Sequence, residues 1–227
     1  MSEIKDDTFA GAGVQRPWDA RLARWLITPL EDTWVTPNHL TTVRLVVGLA
    51  AAVAFTPGTY GWSILAALML VLSNFLDHTD GELARLTGNT SRFGHLYDLA
   101  SDALITILLF VAIGVGVGAR SGVVFEIPPA VMGAIAGVAV ALIFYLRMRI
   151  EDRAGKTATR QASMGGFETE DVLYLMPLAA LCNGLMPILI AASICAPLYA
   201  VWVVIEYRRV IRRPQPLAAS PTSEVAR

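Results

Sequence analysis

Four aspartates lie close together in a chain that is otherwise strongly apolar. On a helix, Asp77 and Asp80 fall on one stripe at positions i and i+3, and Asp98 and Asp102 fall on another at i and i+4. Residues 86–93, between the two stripes, are rich in small polar side chains, which predicts a turn. We therefore expect two antiparallel helices that each point two aspartates into one shared space.

The charge of such a site indicates its chemistry. Four ionised carboxylates repel one another, and each costs about 2.5–3.5 kcal/mol at membrane depth on insertion scales. Two divalent cations would cancel this charge, and all-oxygen ligands favour Mg²⁺ or Mn²⁺ over zinc. Gly81 and Ala84 leave room for a ligand beside the first helix, and Arg85 on the same stripe can hold a phosphate with its planar fork. The pattern indicates a two-metal site for displacement at phosphorus.

The spacing of these residues resembles the signature of the CDP-alcohol phosphotransferase family, Asp-x2-Asp-Gly-x2-Ala-Arg-x8-Gly-x3-Asp-x3-Asp. Every fixed position is filled, in order, by Asp77, Asp80, Gly81, Ala84, Arg85, Gly94, Asp98 and Asp102. Members of this family are integral membrane enzymes that make phospholipids. The resemblance extends over roughly residues 36–209 and is weak at both tails.

The resemblance implies roles for the motif residues. Two Mg²⁺ or Mn²⁺ ions would be held by four carboxylates, those of Asp77, Asp80, Asp98 and Asp102. The cytidine diphosphate would be contacted by Asp80, Gly81, Ala84 and Arg85. Asp102 would also be the catalytic base that deprotonates the acceptor hydroxyl. The implied reaction moves a phosphatidyl (substituted phosphate) group from a CDP-alcohol, with CDP-diacylglycerol as the favoured donor, to an acceptor hydroxyl and releases CMP.

The acceptor is not identified by the sequence. A basic stretch, residues 147–160, follows the fourth predicted span, and Arg149 and Arg153 within it are candidates to bind a phosphate on the acceptor. The alternative is that the stretch is a topology signal lying near anionic lipid. Inositol phosphate, glycerol phosphate, serine and a second lipid all remain open as acceptors, and a water-soluble donor such as CDP-inositol remains open too.

Two other functions fit parts of the pattern. An aspartate-rich intramembrane prenyltransferase would also use Mg²⁺ and a diphosphate donor, but the Gly-x2-Ala-Arg element has no role there. A non-enzymatic transporter could use buried carboxylates for ion coupling. Release of pyrophosphate would favour the first alternative, and substrate flux without CMP would favour the second.

Composition and apolar runs predict an all-α integral membrane protein. The 227 residues are 55% hydrophobic and 16% charged, against about 25% charged in soluble domains. A net charge of −1 gives no case for nucleic-acid binding. Six transmembrane helices are predicted, at about residues 36–55, 62–76, 94–117, 129–146, 171–185 and 187–204.

The chain divides into four predicted segments. Residues 1–15 are polar and predict a disordered cytoplasmic N-terminus, and residues 16–35 predict an interfacial amphipathic helix with tryptophans on one side. Residues 36–209 form the six-span domain, and the proline-rich residues 210–227 predict a disordered cytoplasmic tail. Within the first span, Arg44 is expected to reach the headgroups by snorkelling, and Glu82 is expected to be a solvated or interfacial charge.

The distribution of basic residues predicts orientation. With both termini in the cytoplasm, Arg120 alone falls in an outer loop. The inner side then holds Arg85, Arg92, Arg147, Arg149, Arg153, Lys156, Arg160, Arg208, Arg209, Arg212 and Arg213. We therefore expect an active site that faces the cytoplasm from a bacterial inner (plasma) membrane.

Two small-residue patterns bear on assembly. Gly114-x3-Gly118 and Gly133-x3-Gly137 allow close helix packing. Members of the family that the motif resembles are commonly homodimers, so one pattern is a candidate dimer interface. Packing within the subunit is the equal alternative.

Overall fold

The computed structural model describes residues 27–30, 33–88, 91–121, 126–154 and 174–212. Over these ranges the chain forms a 3-10 turn at Thr28–Leu30, six α-helices and no β-strand. The helices are α1 (Pro37–Phe55), α2 (Tyr60–Thr87), α3 (Arg92–Ser121), α4 (Pro129–Ala154), α5 (Met176–Leu181) and α6 (Leu185–Arg212). The all-α prediction is thereby confirmed for the part of the chain that the structure describes.

Five of the described helices, α1, α2, α3, α4 and α6, are long and apolar enough to cross a membrane. The predicted count of six is not confirmed. The described part of the predicted fifth span contains only the six-residue helix α5. A turn then follows, in which Asn183 takes a left-handed φ of 54° and the N–H of Gly184 bonds to the carbonyl of Ala179 at 2.7 Å. This is the geometry that ends a helix.

The predicted ends of the chain are only partly described. Residues 1–26 and 213–227 lie outside the described residues, and with them the predicted disordered N-terminus, most of the predicted amphipathic helix and most of the predicted disordered tail. The described part of the predicted amphipathic helix, residues 16–35, consists of the 3-10 turn and an irregular stretch at residues 33–35. At the other end α6 continues to Arg212, past the predicted boundary at residue 209. Basic residues in that last turn suit the negative end of the helix dipole.

The helices pack in the order α2, α1, α3, α4 and α6, so that α1 lies between the two helices that carry the aspartates. The contact is tight at Gly48 in α1. A Cβ there would lie 2.8 Å from Cδ1 of Ile105 in α3 and 2.9 Å from Oγ of Ser73 in α2. Because glycine has no side chain, α1 can approach both neighbours at one level.

The small-residue patterns of α3 and α4 pack these two helices against each other. A Cβ on Gly133 would collide with the carbonyl group of Phe110, and one on Gly114 would collide with the carbonyl of Pro129. A Cβ on Gly137 would lie 2.8 Å from the Cα of Ile107. Both patterns therefore serve packing within the subunit. The homodimer stays a prediction.

The two ends of the bundle differ in charge. The second halves of α4 and α6 pack in parallel, through Ile143, Leu146 and Ile150 of α4 and Ala200 and Val203 of α6. Their last turns therefore lie at the end of the bundle where α3 begins and α2 finishes. That end holds, among the described residues, Arg85, Arg147, Arg149, Arg153, Arg208, Arg209 and Arg212. Arg120 lies at the opposite end, in the last turn of α3.

Candidate active site

The two aspartate stripes lie on α2 and α3 as the sequence predicts. Helix α2 runs through its 28 residues without a break, which makes it about 42 Å long against a hydrocarbon thickness of roughly 30 Å. It ends at Gly88, which takes a left-handed φ of 65°. Ser91 then accepts the N–H of Gly94 on its Oγ at 2.9 Å, near the start of α3. The motif therefore occupies the end of the bundle rather than its middle.

The four aspartates converge from the two helices. One carboxylate oxygen each from Asp77, Asp98 and Asp102 lie within 4.8 Å of one another. Side-chain exposure rises from 7% at Asp80 through 29% at Asp77 and 37% at Asp98 to 41% at Asp102. Asp80 thus lines the floor of the cluster and Asp102 its open side. This order suits a base that must meet an incoming acceptor.

A guanidinium from α1 stands among these carboxylates, which corrects the expectation for Arg44. Its Nη1 donates to Asp77 and to Asp98, the latter at 2.6 Å, and its Nη2 donates to Asp102. Nη1 also lies 3.9 Å from Oδ2 of Asp80. The side chain is buried. It does not snorkel because the carboxylates supply, inside the bundle, the partners that headgroups would supply at the interface.

Other residues of α1 and α2 hold this arrangement in place. The Thr41 hydroxyl donates to Oδ2 of Asp80 at 2.7 Å. The Ser73 hydroxyl donates to the backbone carbonyl of Arg44 at 3.1 Å. Both donors, the side chains of Thr41 and Ser73, are buried. Thr41, Arg44 and Ser73 were not among the predicted site residues, because the motif spacing concerns only α2 and α3.

The predicted nucleotide-binding face of α2 is open. A Cβ on Gly81 would meet only Nη2 of Arg85, at 3.7 Å, so the guanidinium lies beside a bare stretch of helix. The Arg85 side chain is 70% exposed and its Nη1 donates to Oε1 of Glu82. Backbone and guanidinium are thus both accessible to a phosphate group.

Glu82 is not the solvated charge that its position off the stripe predicted. Its side chain is only 3% exposed and pairs with Arg85. A carboxylate loses hydration on burial, so it stays buried only when a cation compensates it. The ion pair with Glu82 therefore orients the guanidinium of Arg85.

The two candidate acceptor residues make no ion pair with the aspartates among the described residues. Arg149 and Arg153 are exposed and belong to the last turns of α4, which extends beyond its predicted end at residue 146. In the described part of the chain, the guanidinium contacts to the aspartates all come from Arg44. Arg147 instead donates to the hydroxyl of Tyr199 in α6, and its guanidinium lies 5.5 Å from the centre of that ring.

The donor set of the cluster fits a hard divalent cation. The set consists of carboxylate oxygens, and those of Asp77, Asp98 and Asp102 lie close enough together to share one ion. Asp80 is buried at one side of the cluster, and Asp102 is exposed at the other. Mg²⁺ and Mn²⁺ are the ions that such ligands favour.

Comparison with known proteins adds an independent observation. Residues 34–205 match the family model described as CDP-alcohol phosphatidyltransferase. Cholinephosphotransferase 1 of Danio rerio is 38% identical over 107 residues, which is 42% of this chain and 27% of that protein. Archaetidylinositol phosphate synthase of Pyrococcus horikoshii is 38% identical over 87 residues, which is 37% of this chain and 45% of that protein. The matched regions thus cover less than half the length of these relatives.

A solved structure shares the fold. The crystal structure of Mycobacterium tuberculosis phosphatidylinositol phosphate synthase with CDP-DAG bound aligns with a TM-score of 0.56 at 20% identity, over 87% of this chain and 98% of that one. The same enzyme has been solved in complex with manganese and citrate. At this identity the likeness concerns the arrangement of the helices.

Proposed function

The chain belongs to the CDP-alcohol phosphatidyltransferase family, and on that premise we propose that it is a membrane phosphotransferase of phospholipid synthesis. It moves a substituted phosphate group from a CDP-alcohol to an acceptor hydroxyl and releases CMP. The observation that carries this proposal is the convergence of Asp77, Asp98 and Asp102 beside the open face of Gly81 and Arg85. The reaction requires carboxylates that can hold metal and an accessible guanidinium that can bind a phosphate.

The carboxylates of Asp77, Asp80, Asp98 and Asp102 would hold two ions, Mg²⁺ or Mn²⁺. When bound, these ions would polarise the diphosphate and offset the charge that develops in the transition state. The manganese complex of the similar mycobacterial enzyme supports this choice of metal. Thr41 keeps the Asp80 carboxylate oriented through its 2.7 Å hydrogen bond.

The protein's own residues bind the donor and move one proton. Asp80, Gly81, Ala84 and Arg85 contact the cytidine diphosphate, with the guanidinium on the diphosphate oxygens. Asp102, the most exposed of the four aspartates, accepts the proton of the acceptor hydroxyl. The acceptor oxygen bonds to the phosphorus that carries the donated alcohol. The bond from that phosphorus to the bridging oxygen breaks, and CMP leaves.

The favoured donor is CDP-diacylglycerol. The structural neighbour was solved with CDP-DAG bound, and the five apolar helices suit a lipid substrate. The acceptor site is assigned to the basic end of the bundle, with Arg149 and Arg153 as its phosphate-binding residues. Both are exposed there, on the last turns of α4.

The site faces the cytoplasm in this proposal. The end of the bundle with the aspartates carries the arginines of α4 and α6, whereas Arg120 lies at the other end. Basic residues favour the cytoplasmic side of a membrane. The placement in a bacterial inner membrane stays a prediction.

The test is CMP release by the purified protein with Mn²⁺ and CDP-diacylglycerol, across inositol phosphate, glycerol 3-phosphate, serine and diacylglycerol as acceptors. Release that depends on one acceptor and stops with EDTA supports the proposal and identifies the acceptor. Pyrophosphate release, or substrate flux across vesicles with no CMP, would contradict it. The family match does not favour either of those alternatives.

A further inference from the structure

Arg44 brings one positive charge into the centre of the aspartate cluster. Its two terminal nitrogens contact three carboxylates, those of Asp77, Asp98 and Asp102, which come from two different helices. A guanidinium has five N–H donors in a fixed plane, so a single side chain can hold all three carboxylates at once. The buried Arg44 is thus a cross-link between α1, α2 and α3 at the level of the site.

The same three carboxylates offer the oxygens that lie within 4.8 Å of one another. A guanidinium and a divalent ion would therefore be bound by the same three carboxylates. The two cations would also repel each other within so small a cluster, strongly so because the site is partly shielded from water. Metal binding therefore opposes the contacts of Arg44 with these carboxylates.

We infer that Arg44 is a resident counter-ion of the aspartate cluster and a built-in competitor for its metals. It holds the aspartates together, and it lowers the affinity of the cluster for divalent cations. Arg44 is a positioning residue in this account. The inference rests on the metal binding in the proposed function, and it deepens that function by naming what sets the metal affinity.

Two opposite effects on the protein follow. Replacing Arg44 by an apolar side chain removes the competitor, so metal binds more tightly. The same replacement leaves four carboxylates without their cation, so the metal-free protein becomes less stable. A residue with a purely structural role would lower stability without raising metal affinity.

The experiment compares wild-type protein with Arg44→Met and Arg44→Lys in detergent micelles. Free Mn²⁺ is followed by its EPR signal during titration, and thermal unfolding is followed with EDTA and with saturating Mn²⁺. Arg120→Met is the matched control, because it removes the same charge from an exposed position at the opposite end of the bundle.

We expect Arg44→Met to bind Mn²⁺ at least about tenfold more tightly than wild type. In EDTA, the Tm of Arg44→Met should be lower than that of wild type. Mn²⁺ should raise the Tm of Arg44→Met by more than it raises the Tm of wild type. Arg44→Lys keeps the charge but reaches fewer carboxylates, so its affinity for Mn²⁺ should lie between that of wild type and that of Arg44→Met. Arg120→Met should bind Mn²⁺ as wild type does.

Mn²⁺ affinity that is unchanged or weaker in the Arg44 variants, with normal binding by wild type, would overturn this inference and leave the proposed function standing. Absence of Mn²⁺ binding by wild type would overturn both. If Arg44→Met does not fold, Arg44→Lys decides: tighter binding than wild type supports the inference, and equal or weaker binding overturns it.

Discussion

The hydroxyl of Thr41 donates a 2.7 Å hydrogen bond to Oδ2 of Asp80, across the contact between α1 and α2. Both side chains are buried. The first helix, which carries none of the motif residues, therefore supplies the partner of the deepest motif aspartate. The site consequently belongs to three helices, and side chains outside the motif should affect its activity.

Replacing Thr41 by valine should lower the rate of CMP release. The change keeps the shape of the side chain but leaves a buried carboxylate oxygen without its donor, a loss worth about 1–3 kcal/mol. The expected effect on kcat is a decrease of about tenfold or more, with recovery in Thr41→Ser. Thr42→Val is the control, because Thr42 is exposed and its hydroxyl bonds to the backbone carbonyl of Asn38 and to the hydroxyl of Tyr97 rather than to an aspartate. Equal rates for Thr41→Val and Thr42→Val would contradict the role of Thr41.

Replacing Asp102 by asparagine should abolish turnover while donor binding is kept. Asparagine has nearly the same shape but cannot take up a proton, and positioned general bases contribute about 10²- to 10⁴-fold. The measurement is CMP release beside binding of CDP-diacylglycerol by the same preparation. Normal turnover in the variant would contradict the assignment of the base.

Removing the guanidinium of Arg85 should weaken donor binding and, separately, destabilise the protein. Arg85→Gln loses a phosphate contact and leaves the buried carboxylate of Glu82 without its cation. The double variant Glu82→Gln/Arg85→Gln should regain stability but not donor affinity. Thermal unfolding and KM for the CDP-alcohol, measured on all three proteins, separate the two effects. A normal KM in Arg85→Gln would show that Arg85 does not hold the donor.

Adding a methyl group at Gly133 should destabilise the subunit. The new Cβ would collide with the carbonyl of Phe110 in α3, and overpacking of this kind costs about 1–3 kcal/mol. Gly61→Ala is the matched control, because a Cβ there meets nothing within 4 Å. Thermal unfolding gives the stability, and size-exclusion chromatography with light scattering gives the oligomeric state. A wild-type Tm together with a changed oligomeric state would assign Gly133 to an interface between subunits instead.

The motif aspartates could be predicted because their spacing is local to each helix. Positions three or four apart share a helix face, and the polar stretch between the helices folds them back on each other. The end of α2 at Gly88 and the approach of Asp77 to Asp98 and Asp102 agree with those two facts.

The contributions of α1 could not be predicted in this way. Arg44 inside an apolar run was a signal, since an ionisable residue within a span commonly marks a functional site. Its partners depend on how α1 packs between α2 and α3, and spacing within one segment does not encode that packing. The prediction that Glu82 is a solvated or interfacial charge failed for a related reason. The burial of its side chain depends on neighbours that are distant in sequence.

The predicted count of six spans is not confirmed. The predicted fifth span, residues 171–185, begins outside the described residues, and its described part holds the six-residue helix α5, which ends at the turn of Asn183 and Gly184. One residue with positive φ is enough to end a helix.

The most direct test of the central claim is the stoichiometry of the reaction at the aspartate cluster. Wild-type protein with Mn²⁺, CDP-diacylglycerol and the acceptor found in the panel is assayed for CMP and for the phosphodiester product, beside Asp98→Asn. Wild type should form one CMP for each product molecule, and the variant should form no detectable product. CMP formed without a matching phosphodiester, or formed equally well by Asp98→Asn, would contradict the claim that these carboxylates catalyse CDP-alcohol phosphotransfer.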